Sequence, residues 1–525
     1  MIRHCIQLGV PGRGTKILSS SYTWSTVRIV NQMSKVMSMF RRVCLVVLFV
    51  QILTSAAFAQ QAKVYRPNGT PLAVSAIDSS VTELMKGAHV TGTGIAIFDH
   101  GEIAYLKAYG LRDTEKGLPL TPDSVMTSAS LSKSAFATVG MRLVQEHSLN
   151  LDKPIVEYLP KPLPEYPRYA DLKGDDRYKR LTLRVLLSHT SGFPNWRAFE
   201  DDRKLKIHFD PGKRYAYSGE GVDLAQLVVE TVTGKSLSMV MEQHLFKPLR
   251  IERTSMVWKP EFDTDFANGY DEYGRSLGPE KRSVPDAAGS MQTTLRDYAR
   301  FLRAILRHDV LSGETTAEML SPQVAISSMR QFPSLSPETT DAYKTIALSY
   351  GLGWGLCSSP YGKAFFKEGH DEGWRHLALC FENGTGILIM TNSSNGEGIF
   401  KPMIDSLLGP TSFPFDWEGY TPYNLLPPLP KLKEHKTVSL TPEQLKRLVG
   451  RYSYPPDIIL SVTVDNGHLY IQENDEPRQE FLAESPQDFY STTSTDEYTF
   501  KPASGTAQIL MLHLGDKDLE LKRVE

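Results

Sequence analysis

Segments with the pattern of β-strands lie at both ends of the region 92–391, and helical segments occupy its middle. Residues 92–110 hold two apolar runs around the polar turn 99–101 (DHG), which predicts a β-hairpin. Strand patterns return later in the region, at 351–356, 363–369, 374–381 and 386–391. This order predicts an α+β fold, in which an antiparallel sheet is flanked by helices and accompanied by a helical region.

The predicted helices lie between these two groups of strands. Apolar residues recur at helical spacing in 130–147, and in 295–307 they share one face. A further helix is predicted over 223–233 (DLAQLVVETVT), because this segment ends before Gly234, and glycine is a common C-terminal helix signal.

A proline-rich stretch, LLPPLP, begins a linker that we place at 425–436. A short helix is predicted at 440–448. Closely spaced strand candidates follow it, at 458–464, 468–472, 481–483, 498–501, 509–514 and 519–522. The residues 437–525 are therefore expected to form a small β-barrel or sandwich. Because this part has no catalytic constellation, we expect it to serve in packing or in substrate gating.

The first 59 residues end in a pattern typical of a secretory signal peptide. Arg41 and Arg42 precede an apolar run at 43–50, and an A-x-A site ends at Ala59. We expect removal of 1–59, export to a bacterial periplasm or the medium, and a main domain at 60–424. The apolar run is too short to span a bilayer comfortably, so no stable membrane span is expected after cleavage.

Charge and composition limit the classes of partner and cofactor that we expect for this protein. The formal net charge of -2 and the lack of a basic stripe argue against nucleic acid. No Cys or His pair has the spacing of metal ligands, so neither a metal nor another cofactor is expected. Of the two cysteines beyond the predicted leader, Cys357 and Cys380, the sequence allows either a disulfide or two buried thiols.

Ser130 and Lys133 form an S-x-x-K motif (SLSK) at the start of the first predicted helix. A serine hydroxyl needs a base within hydrogen-bond reach to act as a nucleophile at neutral pH. Residues three apart lie on one helix face, so Lys133 can approach Ser130 Oγ directly. The free N–H groups at the helix N-terminus favour a developing oxyanion. Lysine acts as a base only if its pKa falls, which burial and a neighbouring cation would bring about.

Two later segments carry residues suited to the same chemistry. Tyr217, in YAYSGEG at 215–221, precedes a predicted helix and could relay a proton, although a lone tyrosine there is commonly a packing residue. The segment 367–370 (KEGH) ends a strand candidate. Its Lys367 would supply a second positive charge, and its Gly369 would let a substrate backbone lie close.

Taken in order, SLSK at 130–133, YSG at 217–219 and KEG at 367–369 resemble the three boxes of penicillin-recognising serine hydrolases. The chain is most similar to class C β-lactamases and their esterase and D-peptidase relatives. Further runs that resemble this family are LLSHTSG at 186–192, PG at 211–212, AAGS at 287–290 ahead of Asp297, GLGW at 351–354 and GW at 373–374. The resemblance covers roughly residues 80–410 and implies a β-lactamase/transpeptidase-like fold.

The resemblance implies a role for each matching residue. Ser130 would form the acyl-enzyme, Lys133 would be its base, and Tyr217 would protonate the leaving group and activate water. Backbone N–H groups of Ser130 and His370 would form the oxyanion hole, worth about 3 kcal/mol per donor. Lys367 would hold the field that tunes the pKa values of Tyr217 and Lys133. His189, in the HTSG run, is interpreted as part of a structural turn.

Two positions depart from the family pattern, and both are expected to contact substrate. Gly219 replaces the Asn that ends the second box and holds the substrate's acylamino group. Glu368 replaces a Thr or Ser that helps to bind a substrate carboxylate, and a carboxylate there should repel an anion unless it turns away or pairs with a cation. Hydrolysis of an ester or a D-amino-acid peptide is therefore favoured over that of a β-lactam, although the presence of Lys367 favours a β-lactam.

Other functional classes are less consistent with the sequence. The chain has no G-x-S-x-G elbow, which disfavours a conventional α/β-hydrolase. A non-catalytic envelope protein that binds peptidoglycan-like ligands is the alternative, but the retained serine, lysine and tyrosine favour catalysis on a small-molecule or peptide substrate.

Overall fold

The computed structural model describes residues 64–429, 431, 433–454, 458–474, 478–491, 496–514 and 517–524. The predicted signal peptide and its cleavage site after Ala59 lie outside the described residues. Among the helices that are described, none has the length and apolar character needed to cross a membrane.

The centre of the molecule is a nine-stranded antiparallel sheet. The strands before the C-terminal region are β1 (Val64–Tyr65), β2 (Pro71–Leu72), β3 (Gly92–Asp99), β4 (Glu102–Asp113), β5 (Leu118–Pro119), β6 (Met126–Thr127), β7 (Gly269–Tyr270), β8 (Ser276–Gly278), β9 (Gln292–Thr293), β10 (Val324–Ala325), β11 (Ser349–Tyr350), β12 (Gly355–Ser359), β13 (Gly362–Asp371), β14 (Trp374–Phe381) and β15 (Gly386–Thr391). The sheet order is β10-β11-β12-β13-β14-β15-β3-β4-β5. The register Leu388↔Ala96 joins the late strands to the early hairpin, and this confirms the predicted fold class.

Helices cover both faces of this sheet, and further helices lie in the helical region between the early and late strands and ahead of the C-terminal barrel. They are α1 (Val74–Gly87), α2 (Leu131–Gln145), α3 (Leu183–Leu187), α4 (Gly219–Thr233), α5 (Leu237–Met241), α6 (Lys247–Leu249), α7 (Leu295–Leu306), α8 (Gly313–Met319), α9 (Phe400–Leu407), α10 (Phe415–Glu418) and α11 (Pro442–Lys446). A π-helical turn at Glu242–Phe246 joins α5 to α6. Alternate residues of β15 pack on opposite faces: Leu388 with α2 and α7, and Ile389 with α1 and α9. Both faces are therefore core, and the strands read as nearly continuous apolar runs.

One predicted strand is wrong. The segment 351–356 was expected to be a single strand, but a turn at its start separates β11 from β12. Gly353 has a φ of 82°, and a Cβ built on it would lie 2.3 Å from Ala137 Cβ on α2. The chain turns here because α2 lies against the backbone, and only glycine fits that approach.

The C-terminal region is a closed eight-stranded antiparallel barrel. Its strands are β16 (Gly450–Tyr454), β17 (Ile458–Asp465), β18 (His468–Glu473), β19 (Gln479–Ala483), β20 (Asp488–Ser491), β21 (Glu497–Lys501), β22 (Ile509–Leu514) and β23 (Lys517–Arg523). The sequence predicted six of these strands and missed β16 and β20. Closure comes from pairing of β16 with both β17 and β23, which decides for a barrel over a sandwich.

Candidate active site

Ser130 lies in the turn that leads into α2. Ala129, just before it, has a φ of 47°, a left-handed conformation that costs a non-glycine residue roughly 1–2 kcal/mol. Within the described part of the chain, no acceptor for the Ser130 N–H is found, although Ser128 N–H donates to Met291 O at 2.9 Å. The turn leaves this N–H free at the N-terminus of α2 and places the serine in the wall of a cavity of ≈ 570 Å³.

Lys133 reaches back to Ser130 from the first turn of α2. Its Nζ donates to Ser130 Oγ at 3.0 Å and to Ala288 O at 2.6 Å. The side chain is 2% exposed. Burial, and then the positive charge of Lys367, lower the pKa of Lys133 to about 8. About a tenth of this amine is therefore unprotonated at pH 7, and only that form can act as a base.

Tyr217 lies two residues before α4, is buried and lines the cavity. Lys367 Nζ donates to its Oη at 3.1 Å. Burial, and then the negative charge of Glu368, raise the pKa of Tyr217 well above its ordinary value, although a hydrogen bond with Ser130 opposes this shift. The phenol therefore keeps its proton at neutral pH and can act as a proton donor beside the serine.

Lys367 and Glu368 form a buried ion pair on β13. Lys367 Nζ lies 2.5 Å from Glu368 Oε1, and the two residues are 0% and 4% exposed. Gln331 Nε2 donates to the same Oε1 at 3.3 Å. Glu368 lines the cavity, whereas Lys367 lies behind it. Of the two arrangements that the sequence allowed for Glu368, turning away or pairing with a cation, the structure has the pairing.

The end of β13 runs beside the serine turn. A Cβ on Gly369 would lie 2.7 Å from Ser128 O, so glycine permits this close approach. His370 lines the same cavity as Ser130, and its Nδ1 lies 3.5 Å from Glu397 Oε2. The two residues expected to supply the oxyanion hole therefore share one cavity.

His189 packs behind Tyr217 and is not among the residues that line the cavity. Its ring centroid is 4.4 Å from that of Tyr217, and its Nδ1 accepts a hydrogen bond from Ser218 N–H at 3.2 Å. Burial, and then the charge of Lys367, lower the pKa of His189 well below its ordinary value. A neutral, buried ring that holds the backbone next to Tyr217 agrees with the structural interpretation of this histidine.

A family model described as Beta-lactamase matches residues 77–408. The chain belongs to the beta-lactamase family. This match confirms the resemblance drawn from the three boxes, and all three lie within the matched residues.

Curated relatives of this family member include two proteins of Staphylococcus aureus. Protein flp of strain MW2 is 25% identical over 245 residues, which are 43% of this chain and 48% of the relative. A teichoic acid D-alanine hydrolase is 25% identical over 244 residues, which are 43% of this chain and 57% of the relative. The chain thus spans about half the length of the curated relatives it matches.

Solved structures share the fold of this beta-lactamase family member. An octameric penicillin-binding protein homologue from Pyrococcus abyssi has a TM-score of 0.53 and 21% identity, covering 86% of this chain and 100% of that one. The D-alanine carboxypeptidase AmpC from Burkholderia cenocepacia has a TM-score of 0.51 and 19% identity, covering 64% and 98%.

Gly219, where the family has Asn, leaves no room for a side chain. A Cβ built on it would lie 2.4 Å from Trp196 Cη2. Trp196 lines the cavity, and Lys133 Nζ lies over its ring, 5.7 Å from the centroid. An indole therefore occupies the space next to the helix start, where an Asn amide would extend from the second box.

A dense set of hydrogen bonds holds the Trp196 loop on the start of α4. Asn195 accepts from Gly219 N–H through O at 3.0 Å and through Oδ1 at 3.1 Å. Glu220 accepts from Arg197 Nε at 2.9 Å and from Arg197 Nη2 at 2.8 Å. Sequence reasoning missed this loop, because its residues carry no motif beyond their position after the HTSG run.

The remaining sequence expectations concern cysteines and metals. Cys357 and Cys380 are both buried and unpaired, and burial raises the pKa of each thiol, to about 12 for Cys357. Over the described ranges, no group of three or more His, Cys, Asp or Glu side chains is arranged to hold a metal ion.

Proposed function

We propose that the protein is a serine hydrolase that acts through an acyl-enzyme on an ester or a D-amino-acid peptide. One observation carries this proposal: Lys133 Nζ lies 3.0 Å from Ser130 Oγ at a position where its pKa falls to about 8. A nucleophile and a base in contact, with the base poised near neutral pH, is the arrangement that acyl transfer needs.

In acylation, Ser130 Oγ attacks the substrate carbonyl carbon and gives its proton to the neutral amine of Lys133. The electron pair of the carbonyl moves to oxygen, which accepts hydrogen bonds from the N–H groups of Ser130 and His370. When the bond to the leaving group breaks, that group takes the phenol proton of Tyr217. Lys133 then returns a proton to Tyr217.

In deacylation, water attacks the acyl carbon and gives a proton to Lys133. The resemblance implies this role for Tyr217, but the raised pKa of Tyr217 leaves its phenol protonated. The bond from carbon to Ser130 Oγ breaks, and the serine recovers its proton. The net reaction adds one water molecule across the ester or amide bond. The high pKa of Tyr217 suits a group that donates its proton only to a strongly basic leaving atom.

The two altered substrate positions support an ester or peptide over a β-lactam. Gly219 and Trp196 offer no amide for an acylamino side chain, and Lys367 is already bound to Glu368 and Tyr217. Two similar proteins, a teichoic acid D-alanine hydrolase and a D-alanine carboxypeptidase, are named for D-alanyl substrates, which supports a D-alanyl substrate here. Export by the leader-like segment is part of the proposal, because such substrates belong to the bacterial envelope.

A hydrolysis panel tests this proposal. Purified protein is assayed with p-nitrophenyl esters, D-Ala-D-Ala peptides and nitrocefin, alongside a fluorophosphonate probe for the nucleophilic serine. We expect labelling of Ser130, turnover of esters or D-peptides, and slow or no turnover of nitrocefin. A correctly folded protein that is neither labelled nor active on any of the three would contradict the enzyme and favour the ligand-binding alternative.

A further inference from the structure

The two positions that depart from the family pattern, Gly219 and Glu368, give the cavity wall an aromatic ring and a carboxylate. Next to Gly219 the cavity meets the indole of Trp196. At the middle of the third box it meets the carboxylate of Glu368. An aromatic face and a carboxylate are the groups with which proteins bind ammonium cations. Neither one is suited to a substrate carboxylate.

Aromatic side chains continue around the cavity from Trp196. Tyr217, Phe332 and Phe199 also line it, and the last two are 42% and 74% exposed. The Phe332 ring centroid is 5.5 Å from that of Tyr217. The ammonium of Lys133 already lies over two of these rings, 5.7 Å from the Trp196 centroid and 5.0 Å from that of Tyr217. Two of the rings thus already hold a cation over their faces, and Phe332 and Phe199 add further aromatic surface to the cavity.

The charged lining of the cavity is more acidic than basic. Its carboxylates are Glu368, Asp286 and Asp371, and its cations are Lys133 and Arg282. Arg282 forms ion pairs with Glu280 and, at 3.7 Å, with Asp371.

One carboxylate oxygen of Glu368, Oε2, accepts none of the hydrogen bonds found among the described residues. Both hydrogen bonds that described residues donate to Glu368 end on Oε1, from Lys367 and from Gln331. Oε2 therefore accepts no hydrogen bond from the described residues, and Glu368 lines the cavity whereas Lys367 does not.

We propose that the cavity selects esters or amides that carry an amine cation next to the scissile bond, with Trp196 and Glu368 as specificity-determining residues. This inference rests on the proposed serine hydrolase function. An ammonium gains a π face at one altered position and an acceptor oxygen at the other. A carboxylate in the same space finds no partner in Lys367, which is already bound to Glu368 and Tyr217.

Two matched pairs of esters test the inference and locate the cation. Comparing D-alanine methyl ester with its N-acetyl derivative tests for recognition of a cation on the acyl side of the ester. Comparing acetylcholine with 3,3-dimethylbutyl acetate, which has nearly the same shape, tests for recognition of a cation on the alcohol side. We expect the cationic member of at least one pair to have a kcat/KM higher by about tenfold.

Variants then assign the preference to residues. Glu368→Gln and Trp196→Leu should each lower the ratio of cationic to neutral kcat/KM by about threefold or more. The ratio is internal to each variant, so a general loss of activity cancels. Glu382→Gln is the matched control. Glu382 pairs at 3.0 Å with Lys363, which lies on β13 as Glu368 does, but Glu382 is not part of the cavity lining. This variant should leave the ratio unchanged.

The outcomes separate this inference from the proposed function. Equal kcat/KM values within both pairs would overturn the inference and leave the hydrolase intact. Absence of both ester hydrolysis and fluorophosphonate labelling would overturn the hydrolase itself. If Ser130 is labelled but no ester turns over, protection from labelling by each ester replaces kcat/KM. Equal protection by cationic and neutral esters would then contradict the inference.

Discussion

Buried polar groups are distributed very differently in the α+β region, residues 64–418, and in the C-terminal barrel, residues 450–523. In the α+β region, Lys133, Lys367 and Glu368 are at most 4% exposed. Among the described barrel residues, no Asp, Glu, Lys, Arg or His side chain is buried, and the core consists of side chains such as Leu460, Phe500 and Leu510. Burying a charge costs several kcal/mol, and pairing it with an opposite charge often does not offset that cost. The α+β region therefore carries costs that folding alone does not explain, and the barrel does not.

This contrast indicates that the α+β region, and not the barrel, holds the groups suited to catalysis. Lys133 and Glu368 line one cavity, whose lining residues lie between 129 and 371, and Lys367 is paired with Glu368. The barrel contributes none of the residues that line it. We therefore expect substitutions in the two regions to separate activity from stability.

The largest effect is expected at the nucleophile. Ser130→Ala removes the oxygen that forms the acyl bond, so turnover and covalent labelling should both fall below detection, with a loss in kcat of about 10⁴-fold or more. The side chain is small and partly exposed, so the free energy of unfolding should change by less than about 1 kcal/mol. Ester hydrolysis and fluorophosphonate labelling measure the first effect, and urea unfolding the second.

Ser134→Ala is the matched control for the nucleophile. This serine lies one turn further along α2, is fully buried and bonds to Leu131 O at 2.9 Å. It should retain labelling while losing some stability. Full turnover by Ser130→Ala would place the chemistry elsewhere.

The pH dependence of kcat/KM tests Lys133 as the base. Burial and the charge of Lys367 lower its pKa to about 8, while the negative charges of Asp286, Asp223 and Glu368 act in the opposite direction. Only the neutral amine accepts the serine proton, so kcat/KM should rise with pH around a midpoint near pH 8. Between pH 7 and pH 9 the increase should be about tenfold.

Lys133→Arg serves as the control for this profile, because arginine keeps the charge but does not lose its proton in this range. The variant should lose most activity and show no rise near pH 8. A wild-type profile that is flat from pH 6 to pH 10 would argue against Lys133 as the base.

A smaller effect is expected from loosening the Trp196 loop. Glu220 is 3% exposed; burial alone would raise its pKa, but hydrogen bonds and the charge of Arg197 bring that pKa below the usual value. Glu220→Gln leaves Arg197 with a neutral partner, which should cost about 2 kcal/mol in the free energy of unfolding. With Trp196 less firmly held, KM should rise by about threefold to fivefold while kcat changes less.

Thermal unfolding and steady-state kinetics on esters measure these two changes. Glu382→Gln, at an exposed ion pair with Lys363, should cost less than about 1 kcal/mol and leave KM unchanged. An unchanged KM in Glu220→Gln would mean that the loop keeps its position without this pair.

Much of the fold and of the candidate site was predictable from local sequence signals. The helix at Ser130 follows from hydrophobic period, and the S-x-x-K spacing puts Lys133 on the same face. The wall of the cavity was not predictable, because Trp196 reaches Gly219 through a loop whose contacts are long-range. The ion pair of Lys367 and Glu368 was likewise hidden, since neighbours on a strand normally point to opposite faces. The turn at Gly353 depends on the position of α2, which the local pattern does not report.

The smallest effect on activity is expected from the barrel. Leu510 is 0% exposed in β22, and Leu510→Ala should remove about 2–5 kcal/mol from the free energy of unfolding. Because the barrel supplies none of the residues that line the cavity, kcat/KM should stay within about twofold of the wild-type value. Calorimetry and ester hydrolysis on the same preparation provide the two measurements.

Leu302→Ala on α7 is the matched control for the barrel variant, since Leu302 is equally buried and packs with α2 in the core of the α+β region. It should lose a similar amount of stability and also lose activity, because α2 carries Ser130 and Lys133. A fall of more than about fivefold in kcat/KM for Leu510→Ala, with the α+β region still folded, would show that the barrel shapes the cavity. The guanidinium of Arg203, which lies over the Tyr454 ring at 5.3 Å from its centroid, would then be the first contact to remove, because it links β16 to the chain that follows Trp196.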